Sequence, residues 1–372
     1  MIGSNSEIVT ISTNLFDTVS SLNFSPDPNT YFLEATTWEQ KSYIFDCKKN
    51  SNDKKVLEQN YSAPILHSSF FFNDKVVLSG PDNKITMWDL STNSTTTIGQ
   101  TNNIVLRTFF VPELNNTIFS LSYDNYVTCW DVKSPNPICF YKLPDSCKPI
   151  TMSICFPLCA IATNSKHVAI LDLQATLNSG KLDNPYVLET QMDTPTKSML
   201  CLKSLVILGT LEGRCQMLTT DLQKLKSLGN SSRTETFTFR ANRTESKGFA
   251  VNTISGNTKY DDTFATGGSD GIINFWNHKS KTKISNFIDS RTVTNKNYKR
   301  DELEIHPSIT ESAFHPRGDY FAFAIGYDWS KGYKFFESVA PEIYCKNLNE
   351  NDFKYIPSTP LYGNSSFSSN YR

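Results

Sequence analysis

The 372-residue sequence lacks any stretch of 18 or more apolar residues, and its first ten residues carry neither the basic start nor the apolar run of a secretory signal. A soluble, intracellular protein without membrane insertion is therefore expected. An excess of charge is lacking as well. Lys and Arg number 36 against 37 Asp and Glu, a net charge of −1, so no whole-protein field draws in nucleic acid or an anionic membrane, and any basic site must be local. The nine cysteines, an odd number, include no CxxC pair. Most sit in apolar surroundings, as Cys129 does in YVTCW and Cys155 and Cys159 do in ICFPLC, and read as reduced core thiols. The five histidines show neither HExxH nor HxH spacing, so no metal site is expected. No glycine motif cradles phosphate, and no cofactor is expected.

What the sequence has in quantity is aromatic residues, 25 Phe and 16 Tyr among them, which favours strands over helical bundles. Internal similarity appears when segments are aligned on an aromatic or apolar pair followed by a polar residue. They end at Asp46, Asp89, Asp131, Asp172, Thr219 and Asn277, at intervals of 43, 42, 41, 47 and 58 residues. The first three intervals match the roughly 40 to 45 residues of a four-stranded WD-repeat blade, and the last two imply inserted loops. A seventh copy, DYFAFAIGYDWSKGYKFF, ends near Phe336.

Each copy has an apolar run, a small residue, a turn such as Asp82-Asn83, Asp124-Asn125, Glu212-Gly213 or Asp270-Gly271, and then an alternating strand: a repeated β-hairpin. A third strand lies between copies, as in SAPILHSSFFF, and a fourth can follow each pair. The fold class expected is all-β, a seven-bladed WD-repeat β-propeller over residues 1–355, with the stretch Glu7 to Ile11 completing the outer edge of the last blade. The Ser- and Asn-rich segment 356–372 is expected to be a poorly ordered polar tail.

Gly267-Gly268-Ser269-Asp270-Gly271 satisfies the hydrolase pattern G-x-S-x-G. A nucleophile elbow needs a helix after the serine, whereas Ile272 to Trp276 alternates as a strand, so Asp270-Gly271 reads as a hairpin turn. Nothing else in the sequence points to an enzyme. Trp88, Trp130 and Trp276 occupy the blade position where an aromatic ring fills the space between sheets, and Asp82, Asp124 and Asp270, six residues earlier, suit carboxylates bonded to their own turns.

GYDWSKGYKFF, GTLEGRCQM, GGSDGIINFWNHKSKTKI and SPNPICFYKLPDSCKPI together resemble the nuclear mRNA export factors of the WD-repeat class, which associate with nuclear pores. The likeness runs in register through blades three to seven and more loosely through the first two. The mitotic checkpoint WD-repeat proteins are also similar around LEGRC and TFATGGSDG. The chain departs from the export factors after the Phe-Thr-Phe strand, where Arg240, Ala241, Asn242 and Arg243 stand in place of the usual Cys-His-Arg, and it carries Asn277 where Asp is usual.

Arg214 follows Glu212-Gly213 in an otherwise uncharged, apolar segment, where a cation needs a partner or a route to water. Either a salt bridge to an adjacent blade or a carboxylate on a partner would satisfy it, and a guanidinium suits the latter. The resemblance implies that this arginine grips a glutamate of a nucleoporin acidic motif. It also implies a groove for that motif built from Thr238, Phe239, Arg240, Trp276, His278, Lys281 and Lys283. If the strand is regular, Phe239 and Arg240 point to opposite faces. The later basic residues Arg291, Lys296, Lys299 and Arg300 suit either an electrostatic apron or a solvated loop.

The resemblance thus implies a non-enzymatic adaptor at the nuclear pore and envelope, in the nucleus and also the cytoplasm, that supports mRNA export. The alternatives are a checkpoint adaptor holding kinase-associated acidic motifs, direct contact with RNA or ribonucleoprotein through the basic patch, and an enzyme using the central channel.

Overall fold

The computed structural model describes residues 8–353 apart from 14, 52, 115–116, 135, 180, 229–234 and 295–305. Glu7, the 356–372 segment and the basic residues Lys296, Lys299 and Arg300 lie outside the described residues.

The strands form seven four-stranded antiparallel sheets. Blade 1 spans residues 19–60, and blades 2 to 6 span 67–100, 105–142, 149–189, 196–240 and 251–289. In each of these six, four consecutive strands run in sheet order from the central channel outward. Their first strands contact one another from each blade to the next around the whole circle, including blade 7 to blade 1. This is a closed, seven-bladed β-propeller.

Blade 7 closes the ring with strands from both ends of the described chain. Ser308–Phe314, Tyr320–Gly326 and Glu342–Asn347 supply three strands, and Ile8–Ser12 adds the outermost. Ile8 pairs with Lys346 and Thr10 with Tyr344. The third strand differs from the expected one. The segment GYKFF forms a 3-10 helix at Tyr333–Ser338 with Tyr333 73% exposed, and the strand is instead Glu342–Asn347. Alternation alone marked the earlier segment, but the later one buries Ile343, Tyr344 and Cys345 against its neighbours.

The core is divided like the sheets. Seven clusters of buried side chains each join one blade to the next. Every blade is therefore apolar on both faces, which is why its central strands read as near-continuous hydrophobic runs. Trp88, Trp130 and Trp276 are at most 3% exposed, and each faces the preceding blade. The Trp276 indole donates to Thr266 Oγ1 (2.9 Å) and Trp130 to Ser120 Oγ (2.8 Å), so both rings are buried with their polar handle satisfied. No helix among the described residues is long and apolar enough to cross a membrane. The long fourth and fifth repeat intervals hold two short helices, Leu173–Ser179 and Leu222–Leu228.

Candidate functional site

Arg214 opens the third strand of blade 5, Arg214–Thr219, directly after a turn only glycine can make. Gly213 has φ of +76°, and a Cβ there would lie 2.1 Å from the Asn242 carbonyl oxygen. The Ala241 and Asn242 amides both donate to the Gly213 carbonyl, at 2.9 and 3.1 Å. The turn is thus pressed under the 241–249 loop. That fixes the backbone from which Arg214 projects.

Across the sheet, Arg214 is the register partner of Arg240, the last residue of the outermost strand Thr236–Arg240. Directly opposed residues share a face, so the two arginine side chains leave the same face of the sheet, Arg214 half-buried and Arg240 exposed. Neither makes an ion pair or side-chain hydrogen bond among the described residues, so the salt bridge considered for Arg214 is not found there. Arg243 stands near the same turn, donating from Nη1 to the Glu212 carbonyl (3.1 Å) with the Glu212 carboxylate 3.6 Å away.

Strand alternation divides the other candidates. Thr238 pairs with Gln216 and shares the face of Arg214 and Arg240, directed toward blade 4, where Gln216 Oε1 accepts from the Gln191 amide. Phe237 and Phe239 point the other way, into the seam with blade 6. There Phe239 is 2% exposed and packs 4.7 Å from Trp276, itself 1% exposed. These two rings are walls of the core and present almost no surface to a partner. Phe237, which the sequence reading passed over, is the half-exposed ring of this seam. Its signal was available in the two-residue period, since it shares a face with Phe239.

Blade 6 adds cations to the seam. Lys281 sits at a turn with φ of +55° and holds its Nζ 5.2 Å from the Phe237 ring centroid. Lys283, the register partner of Trp276, lies with its Nζ 5.9 Å from the indole, and burial pushes its ammonium below the usual lysine range. His278 is tied down, its Nε2 3.1 Å from the Asp261 carbonyl, and the neighbouring Lys279 pairs with the Asp261 carboxylate. Arg291 is likewise occupied, bonded to Asp289 through Nε and Nη2 at 2.9 and 2.6 Å.

Asn242 accounts for the departure at the Cys-His-Arg position. Its Nδ2 donates to Asp270 Oδ1 (2.9 Å) and to the Ile272 carbonyl (3.0 Å), fastening the loop after blade 5 to the hairpin turn of blade 6. Asp270 also accepts from the Ile272 amide, so the Gly-x-Ser-x-Gly segment is a hairpin, with strands Thr263–Gly268 and Ile272–Asn277 on either side. A separate exposed feature lies on blade 7. Trp329, Tyr333 and Phe336 stack with centroids 5.1 to 6.3 Å apart, beside Lys331 and Lys334.

No protein-family model matches the sequence. Among characterised proteins, the chain is 25% identical to a poly(A)+ RNA export protein of Schizosaccharomyces pombe, over 87% of this chain and 86% of that one. It is 26% identical to Protein Rae1 of Drosophila melanogaster, over 89% and 91%. The chain resembles the WD-repeat mRNA export factors along most of its length. It is also 26% identical to a WD40 repeat protein, poxJ, of Penicillium oxalicum, over 93% of this chain and 94% of that protein.

Proposed function

We propose that this protein is a non-enzymatic propeller adaptor. It docks an acidic, Glu-containing segment of a nuclear pore protein on the outer side of blade 5 and its seam with blade 6, and so supports mRNA export from the nucleus. The observation that carries this reading is the pair Arg214 and Arg240, two like charges held opposite one another with no carboxylate bonded to them among the described residues. Such a pair repels itself until an anion lies between. The export-factor names of the relatives supply the process.

Among the described residues, the outermost strand Thr236–Arg240 has no further strand on its outer edge. An extended segment laid along it directs alternate side chains to the two faces: carboxylates toward Arg214 and Arg240 on one side, apolar or acidic groups toward Phe237, Lys281 and Lys283 on the other. Thr238 and His278 line the same path. Phe239 and Trp276 act from beneath, by holding the strand in place.

Calorimetry of the purified protein with a Glu-rich nucleoporin peptide, together with mass spectrometry of co-purifying proteins, tests the reading. Saturable binding and recovery of nucleoporins are expected. Recovery of kinetochore kinases without nucleoporins would replace this reading with the checkpoint one. The stacked rings of Trp329, Tyr333 and Phe336 favour a second reading, contact with single-stranded RNA, because bases stack on exposed aromatic faces. Under it, an oligonucleotide binds without any protein partner, with an affinity that falls steeply as salt rises.

A further inference from the structure

Cys129 lies on the third strand of blade 3, Tyr126–Asp131, and Cys139 on its outermost strand, Pro137–Lys142. The two are direct register partners. They share the face turned toward blade 4, where Cys129 belongs to the buried cluster and Cys139 packs at its margin. Directly opposed residues of an antiparallel pair have Cβ atoms about 4.5–5.5 Å apart, so a small adjustment reaches the roughly 3.5–4.5 Å of a disulfide.

The two sulfurs are unequal. Cys129 is 4% exposed, whereas Cys139 is half-exposed at the rim of the blade. The Cys139 sulfur has the Cys129 thiol across the strand pair and the backbone at Leu182 of blade 4 as its polar neighbours. The adjacent Cys129 thiol and the Leu182 backbone hold the Cys139 thiol below the usual thiol range, while the same pairing and burial push Cys129 up. Elsewhere burial alone dominates: it raises Cys159, Cys201 and Cys215, and it closes off a second neighbouring pair, Cys47 and Cys345, at 5% and 1% exposure.

We propose that Cys129 and Cys139 form a peroxide-oxidisable dithiol, in which Cys139 meets the oxidant and Cys129 resolves it as a cross-strand disulfide within blade 3. The Cys139 thiolate attacks one oxygen of hydrogen peroxide. The O–O bond breaks, the departing oxygen leaves as water after taking a proton, and Cys139 becomes a sulfenic acid. The Cys129 sulfur then attacks Cys139 Sγ; the S–S bond forms, the S–O bond breaks and a second water leaves with the Cys129 proton. Two thiols lose two electrons and two protons, and one peroxide is reduced to two waters. The bridge ties down an edge strand that displays Ile138 and Phe140, 52% and 60% exposed.

The test treats the folded full chain with hydrogen peroxide, alkylates the remaining thiols after denaturation and maps every cysteine by peptide mass spectrometry. Cys129 and Cys139 should lose alkylation together and appear as one cross-linked peptide lighter by two hydrogens, while Cys47 and Cys345 stay alkylated. In Cys129→Ser, dimedone should trap a sulfenic acid on Cys139. Oxidation of Cys139 to the sulfinic acid with Cys129 still alkylated, or oxidation of the Cys47–Cys345 pair first, would overturn the proposal. So would a Cys139 alkylation rate in the wild-type chain whose pH midpoint lies no lower than that of an ordinary thiol, a result that depends on no variant folding.

Discussion

Arg214 is a cation whose cost and use are separable. Its register partner is another arginine, and no carboxylate is bonded to either guanidinium among the described residues. Removing it should therefore relieve a repulsion, leaving the melting temperature of Arg214→Ala equal to or slightly above that of the parent. The same substitution should abolish most acidic-peptide binding, at a cost of about 2 to 5 kcal/mol if the ion pair is buried in the complex. Arg214→Lys should recover only part of the loss, because an ammonium lacks two parallel donors. Calorimetry on folded variants decides the matter: full affinity in Arg214→Ala removes the gripping role, and collapse of the fold makes the residue structural. Lys281, on the far side of the strand, acts at longer range. Lys281→Glu is expected to slow association several-fold at low salt and to flatten its salt dependence, with the fold unchanged. Identical stopped-flow association rates for the two chains would reduce this lysine to a solvated turn residue.

At the scale of elements, the strand Ile8–Ser12 is the one piece of the ring joined to its sheet from the far end of the chain. It covers the edge of Glu342–Asn347 and inserts Ile11, 2% exposed, into the cluster between blades 7 and 1. Deleting residues 8–12 exposes that edge and opens the cluster, so the whole propeller should melt earlier; Ile11→Ala alone should cost about 2–5 kcal/mol. An unchanged melting transition in the deletion would show that closure does not depend on this strand. The strand was legible, over Glu7 to Ile11, because closing a propeller leaves the last blade's outer edge to be covered, and the blades were legible because each carries a turn of fixed chemistry between two apolar runs. Blade 7 was harder: Tyr333 to Phe336 has the aromatic content of a strand, and only burial tells it from Glu342–Asn347. The candidate site was legible in its charges and less so in its rings. The two-residue period puts Phe237 on the face of Phe239, but blades are apolar on both faces, so the depth at which Phe237 reaches the surface while Phe239 and Trp276 fill the wedge between sheets shows only in the fold.

Across the molecule as a whole, two carboxylates sit where solvation is poor, Glu34 buried at the seam of blades 1 and 2 and Glu311 half-buried on the innermost strand of blade 7. Glu34 of blade 1 accepts from Ser42 Oγ (3.0 Å) and Asn23 Nδ2 (3.3 Å) of its own blade and from Ser68 Oγ (2.6 Å), the bond that ties blade 1 to blade 2. Glu311 lies on the innermost strand of blade 7, where Arg107 and Lys197 partly offset its burial. Burial raises each from an ordinary 4.5 to about 7. In the unfolded chain both ionise near 4.5, while the folded protein retains their protons until about 7, so between these values the native state binds more protons. Stability must then fall as pH rises through this window, by on the order of 3 kcal/mol per group. Below it, carboxylates held low by their partners, such as Asp319 beside Tyr31 and His315, begin to take up protons and act in the opposite sense. The melting temperature should therefore peak at mildly acidic pH and decline toward neutrality. Glu34→Gln, which keeps the shape and removes the titration, should flatten that decline; calorimetric scans from pH 5 to pH 7.5 that show the same slope in both proteins would locate the pH dependence elsewhere.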